Sequence, residues 1–202
     1  MTLQSRAWML EPVEFHREFV ELYGARSSPD GHVRLRAQAT RVHRSGDPIV
    51  QGYVEMLRGA SPDEWQAGFV DAHVVDWYRV LMAPYLTPTR AFLTPDLLKR
   101  RFPDLGWSPS EARRLALGRE LQLLAETYAP DEGGRRLSLH FNLGNKGWLS
   151  QDDVEAALAR MRRLPRSAFR RHQDLVGVVE HTYEVLEAAA TKPDHVLLMI
   201  HD

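Results

Sequence analysis

The residues best able to do chemistry in this chain fall in three stretches, "DAHVVDW", "LHFNLGNK" and "ARMRRLPRSAFRRH". In the first, His73 and Asp76 stand three apart, which places them on one face of a helix. Such a pair supplies two metal ligands, or a base with the carboxylate that orients it. Two ligands alone do not make a site, and the plainer reading is a hydrogen bond at the edge of the core. In the second stretch, His140 and Asn142 lie on the polar side of an alternating run, followed by Gly144, Asn145, Lys146 and a helix start at Ser150. Loops at strand ends carry function and helix N-termini attract anions, so this is the preferred pocket region. Asp152 and Asp153 argue against an anionic ligand, because they already supply negative charge to that helix end.

The third stretch holds Arg160, Arg162, Arg163, Arg166, Arg170 and Arg171 with no acidic residue among them. It reads as a contact surface for an acidic protein partner. Its structural alternative is a helix C-terminus whose arginines complement the helix dipole before a turn at Pro165. Nucleic acid is disfavoured, since only Phe169 is at hand for stacking and the chain as a whole is not basic. A further stripe, Asp174, His181 and Glu184, repeats at helical spacing opposite an apolar face and reads as a solvated surface. His172 falls on the apolar side and is expected to pack as a neutral side chain.

The familiar catalytic signatures are absent: no phosphate-binding glycine loop, no dinucleotide fingerprint, no nucleophile elbow, no HExxH and no calcium loop. Cysteine is absent as well, which excludes disulfides, thiolate metal sites and cysteine nucleophiles. No residue pattern names a cofactor. The net charge of −1 excludes a strong uniform pull on nucleic acid or acidic membranes, but charge is unevenly spread. Residues 92–171 carry 15 basic and 10 acidic groups, and residues 172–202 carry 1 and 6. No stretch approaches the roughly 18 to 20 apolar residues of a membrane span. The first residues, "MTLQSRAWMLEP", lack an export signal, so the expected location is the cytoplasm.

The elements that would position these groups begin with helix caps, in which Ser or Thr satisfies a free backbone N–H and Pro takes the first helical position. Ser61 with Glu64 and Ser108 with Glu111 have the spacing of a capping box. Thr94 is followed by Pro95, and Ser150 stands before Asp153, a shorter partner than Glu. Leu93 with Leu98, and Leu149 with Val154, are placed as hydrophobic staples across two of these starts. Two starts follow a Gly-Trp pair, "LGWSPSEA" and "KGWLSQDD". There the glycine permits a sharp turn and the tryptophan covers the helix end, a structural role preferred over a ligand groove lined by Trp107 and Trp148.

Apolar periodicity predicts helices over residues 12–23 (Phe15, Phe19, Leu22) and from Ser61 onward (Val70, Val74, Trp77, Leu81, Tyr85). It also predicts helices from Ser108 through Leu117, Leu121, Leu124 and Tyr128, and from about Ser167 to Ala190. Gly118 is expected to allow close approach of another element. Strands are expected at 137–143 and 195–200, more weakly at 3–10, and at 32–40 with a helix as the alternative. The sum is one globular α+β domain over residues 1–202, helix-rich with a small sheet, with a mostly α fold as the alternative. The expected function is binding of another macromolecule, through the arginine-rich segment or the acidic final helix as contact surface, with an acidic protein surface as the partner. The alternative is a metal-dependent or acid–base enzyme in which His73, Asp76 and His140 converge. Oligomeric state is left open.

Overall fold

A computed structural model describes residues 5–26, 28–45, 78, 81–128, 146–165, 167 and 172–201. The fold is α+β, helix-rich with a small antiparallel sheet. Packing divides the chain into two compact units, one formed by Met1–Glu11, Thr87–Leu121 and Leu143–Asp202, the other by Pro12–Leu86 and Gln122–Asn142.

The sheet belongs to the first unit. Its strands are β1 (Ser5–Leu10), β2 (Leu86–Leu93), β3 (Arg119–Glu120), β4 (Lys146–Leu149) and β5 (Val196–His201), in the order β2-β1-β5-β4-β3. The middle strand is the one expected from "HVLLMI". It pairs antiparallel with β1, from Leu10 opposite Val196 to Ser5 opposite His201, and with β4, from Leu149 opposite Leu197 to Lys146 opposite Ile200. Val196, Leu197, Leu198 and Met199 are all buried, so both faces of this strand are covered and its sequence is continuously apolar rather than alternating.

Around the sheet lie α3 (Pro95–Arg101), α4 (Pro109–Leu117), α6 (Gln151–Arg162) and α7 (Val176–Ala190). Both staple pairs are buried in their shared core, Leu93 with Leu98 and Leu149 with Val154. Thr94 starts α3 without a side-chain cap bond. The first residue of α6, Gln151, reaches the opposite end of α7: its amide nitrogen lies 3.2, 2.9 and 2.7 Å from the carbonyl oxygens of Ala189, Lys192 and His195. That ties the start of α6 to the turn that feeds β5.

In the second unit α1 (Pro12–Gly24) buries Phe15, Phe19 and Leu22 as expected. Phe15 and Phe19 meet the fully buried Tyr78 edge-on, at 4.9 and 5.2 Å between ring centroids. Helix α2 (Pro29–Ser45) settles the ambiguous stretch 32–40 as helix, and Arg34 on it pairs with Glu21 of α1 at 2.8 Å. Helix α5 (Leu121–Tyr128) follows β3. Of the helix expected from Ser61, Tyr78, Leu81 and Met82 are helical and buried, whereas Tyr85 ends a 3₁₀ turn; the cap and residues up to Trp77 lie outside the described residues, as does the strand expected at 137–143.

Two expected helices are corrected. The one starting at Ser108 stops at Leu117, because Gly118 takes φ +69° and the chain enters β3. The close approach expected at Gly118 is present. A Cβ there would lie 2.6 Å from the backbone nitrogen of Trp148, and one on Gly147 would overlap the Leu117 carbonyl. The two glycines therefore let two backbones touch. The last helix begins at Val176, not near Ser167, after a 3₁₀ turn over Gln173–Leu175. Arg101 meets Asp174 of that turn at 2.6 Å.

Gly118→Ala combines a strained φ with a backbone overlap, and it should lower the unfolding free energy by roughly 3 kcal/mol or more. Gly177→Ala is the control, in the first turn of α7 with nothing within 4 Å. It should be neutral or stabilise by about 0.5–1 kcal/mol. Urea midpoints of the two variants, compared with the parent, check both signs.

Candidate functional site

Both Gly-Trp helix starts are built in the same way. At α4, Ser108 Oγ accepts from the Glu111 amide at 3.2 Å, and Glu111 accepts from the Ser108 amide at 2.7 Å. At α6, the Asp153 amide donates to Ser150 Oγ at 3.3 Å and the Ser150 amide to Asp153 Oδ2 at 3.1 Å, so the shorter aspartate also closes its box. Each acidic cap residue then takes an arginine. Arg160 donates to Glu111 at 3.0 Å and to the Gly106 carbonyl, with its guanidinium 5.3 Å from the Trp107 ring centroid. Arg119 donates to both oxygens of Asp153, at 2.8 and 3.3 Å, and lies 5.3 Å from the ring of Trp148.

The exchange is reciprocal. Arg119 follows α4 and serves the start of α6, while Arg160 stands in the last turns of α6 and serves the start of α4. Hydrogen bonds from Ser108 hold the Glu111 carboxyl below its ordinary range, with Arg160 adding to the shift. Burial pushes Asp153 up, but the bonds from Arg119 and Ser150 together outweigh it and hold the carboxyl down. Both indoles are covered, Trp107 at 4% and Trp148 at 3% exposure, so neither presents a groove wall. Trp148 donates its Nε1–H to the Glu120 carbonyl at 2.9 Å.

The arginine run is thus split by its surroundings. Arg160 is turned onto the cap of α4. Arg162 is exposed, with Nε 3.4 Å from the Tyr183 hydroxyl of α7, and Arg163 is exposed at the C-cap of α6. Arg166, Arg170 and Arg171 lie outside the described residues, as do His73, Asp76, His140 and Asn142, the residues on which the enzyme alternative rests. Among the described residues no group of three metal-ligating side chains occurs.

Asp174, His181 and Glu184 are all exposed, as their spacing predicted, but they do not form one free stripe: Asp174 is paired with Arg101, while His181 lies 5.1 Å from the ring of Phe92 on β2. His172 is half-buried and precedes the 3₁₀ turn instead of lying on a helical stripe. No helix among the described residues is long and apolar enough to cross a membrane.

Sequence reasoning missed one buried polar pair, in the second unit. His16 Nδ1–H donates to the Pro12 carbonyl at 2.5 Å, which leaves Nε2 to accept from the Tyr78 hydroxyl at 2.7 Å. Burial lowers the His16 pKa to about 4, opposed by the Pro12 bond, so the ring is neutral at pH 7. The signal was present: residues 12, 15, 16, 19, 22 and 23 form one buried helical face, and His16 stands in its middle.

Two outcomes follow. An unfolded histidine titrates near 6.5, so between about pH 6.5 and 4 the unfolded chain binds a proton that the folded one refuses. Stability from neutral His16 is complete above that window, and roughly 2–3 kcal/mol should be lost as pH falls through it. Urea unfolding of His16→Phe across the same range should show a flatter pH dependence than the parent. In the caps, Arg119→Met should cost about 1–2 kcal/mol, because it leaves the largely buried Asp153 without its cation. Arg160→Met should cost less than Arg119→Met, since the Glu111 carboxylate it meets is more exposed than Asp153. Equal urea midpoints for the two variants would contradict this ranking. Compared with known proteins, the chain shows no significant match to any family model, curated protein or solved structure.

Proposed function

We propose that this chain is a cytoplasmic protein that works by binding a macromolecular partner with an acidic surface, through the arginines at the end of α6. The observation that carries this reading is the contrast among arginines of the first unit. Arg101 is held by Asp104 and Asp174, Arg119 by Asp153, and Arg160 by Glu111. Arg162 and Arg163, like Arg100, Arg113 and Arg114 on α3 and α4, are exposed and form no ion pair among the described residues, and they directly follow the paired Arg160. A planar guanidinium left in water keeps its forked donors available for a carboxylate, and arginine is enriched in interfaces for that reason. The position suits the fold as well, because the carbonyl end of a helix favours cations.

The test uses a fluorescently labelled glutamate-rich peptide and, separately, a labelled single-stranded oligonucleotide, with binding read by anisotropy. The peptide should bind, more weakly as salt is raised. Replacing Arg162→Glu and Arg163→Glu together should weaken binding by about tenfold or more, a difference of about 1.4 kcal/mol. Circular dichroism should show the doubly substituted protein folded. Peptide affinity unchanged by the double substitution would overturn the proposal, and so would a marked preference for the oligonucleotide.

A further inference from the structure

We infer that the acidic partner is a second copy of this chain, docked through the face formed by the end of α6, the outer side of α7 and Phe92. This rests on the reading of Arg162 and Arg163 given above and names their counterpart. Helix α7 exposes Glu180, Glu184 and Glu187 at separations of four and three residues, a stripe about 10 Å long. None of the three forms an ion pair among the described residues.

The stripe is flanked on one side by Tyr183, whose hydroxyl meets Arg162, and on the other by His181 against Phe92. Phe92 is 37% exposed, a large aromatic side chain in water beside a charged face. Exposed cations and exposed carboxylates thus share one surface, with an aromatic side chain at its margin. Arg162 is hydrogen-bonded to Tyr183 and attracted to Glu187 of its own chain, while Arg163, Glu180 and Glu184 form no ion pair among the described residues.

That mixture discriminates between occupants. A short acidic peptide can meet Arg162 and Arg163 alone, but an acidic partner surface large enough to cover the whole face would bring like charge against Glu180, Glu184 and Glu187. A second copy, related by a two-fold axis, satisfies both signs. The arginines of each protomer meet the carboxylates of the other, and every contact is made twice. Phe92 then contributes apolar area at the edge of the interface, and arginine and aromatic side chains are the types that carry most binding energy in such contacts.

The experiment is sedimentation velocity of the full chain over a concentration series. The parent should shift from monomer toward dimer as concentration rises at low ionic strength, and back toward monomer when added salt screens the pairs. The variant carrying Arg162→Glu and Arg163→Glu should stay monomeric, and so should the variant carrying Glu184→Arg and Glu187→Arg, because each would face its own copy with like charge. An equimolar mixture of the two should recover the dimer, since opposite charges then meet at both halves of the interface.

A folded parent that stays monomeric at every concentration and salt overturns the inference, and so does a mixture that stays monomeric while both variants are folded. If the parent is monomeric yet still binds the glutamate-rich peptide through Arg162 and Arg163, only the second copy is lost and the reading of the arginine surface stands. If it neither dimerises nor binds the peptide, both fail.

Discussion

Two backbones in direct contact set the geometry of the sheet-bearing unit. Where the chain leaves α4 it passes against β4 so closely that neither Gly118 nor Gly147 has room for a Cβ. The short strand β3 forms at this crossing, with Arg119 opposite Trp148 and Glu120 opposite Gly147. From that register the rest follows. The Glu120 carbonyl receives the Trp148 indole, and the Arg119 side chain reaches the cap of α6. The cap itself is short-range chemistry that any Ser and Asp at this spacing could attempt. The close crossing converts it into a tertiary link.

Charge in this unit sorts into two kinds of work. Arginines that meet a capping carboxylate are taken up in holding helix ends, where a hydrogen-bonded ion pair beside a tryptophan ring gains from partial burial and from the ring face. Other charges, on α3 and α4 as well as on the outer sides of α6 and α7, are exposed, where water screens them and they add little to folding. A fold can vary such positions at small cost, so what they display to a partner is set largely apart from what holds the unit together.

Elements are legible from local signals where one residue's neighbours decide its state. The capped starts at Ser108 and Ser150, the buried face of α1 and the apolar strand at 196–200 all depend on contacts within a few residues, and periodicity or cap chemistry reveals them. The end of α4 was not legible, since a glycine inside a helical pattern is tolerated until another backbone needs its space. The turn before α7 was not legible either, and its Asp174 meets Arg101, 73 positions away. The partners of Arg119 and Arg160 lie 34 and 49 positions away, so nothing local separates these arginines from the exposed Arg162 and Arg163. Of the proposed surface, the sequence showed which residues were charged, and only the fold showed which of them were already paired.

The place of β5 in the sheet bears on how the molecule is made. It lies at the centre of the sheet but is the last of the described elements to be synthesised, and β1 is the first. At about 5 to 20 residues per second, the interval between the two is roughly 10 to 40 s. For that time β1 lacks the central strand that will cover it, and Ala7, Met9 and Leu10 wait for Met199, Leu197 and Val196. During translation the nascent chain therefore offers an apolar strand with one edge open, even after β2 has been made to cover the other. It is the kind of segment that chaperones bind and that crowded polysomes put at risk of pairing with its neighbours.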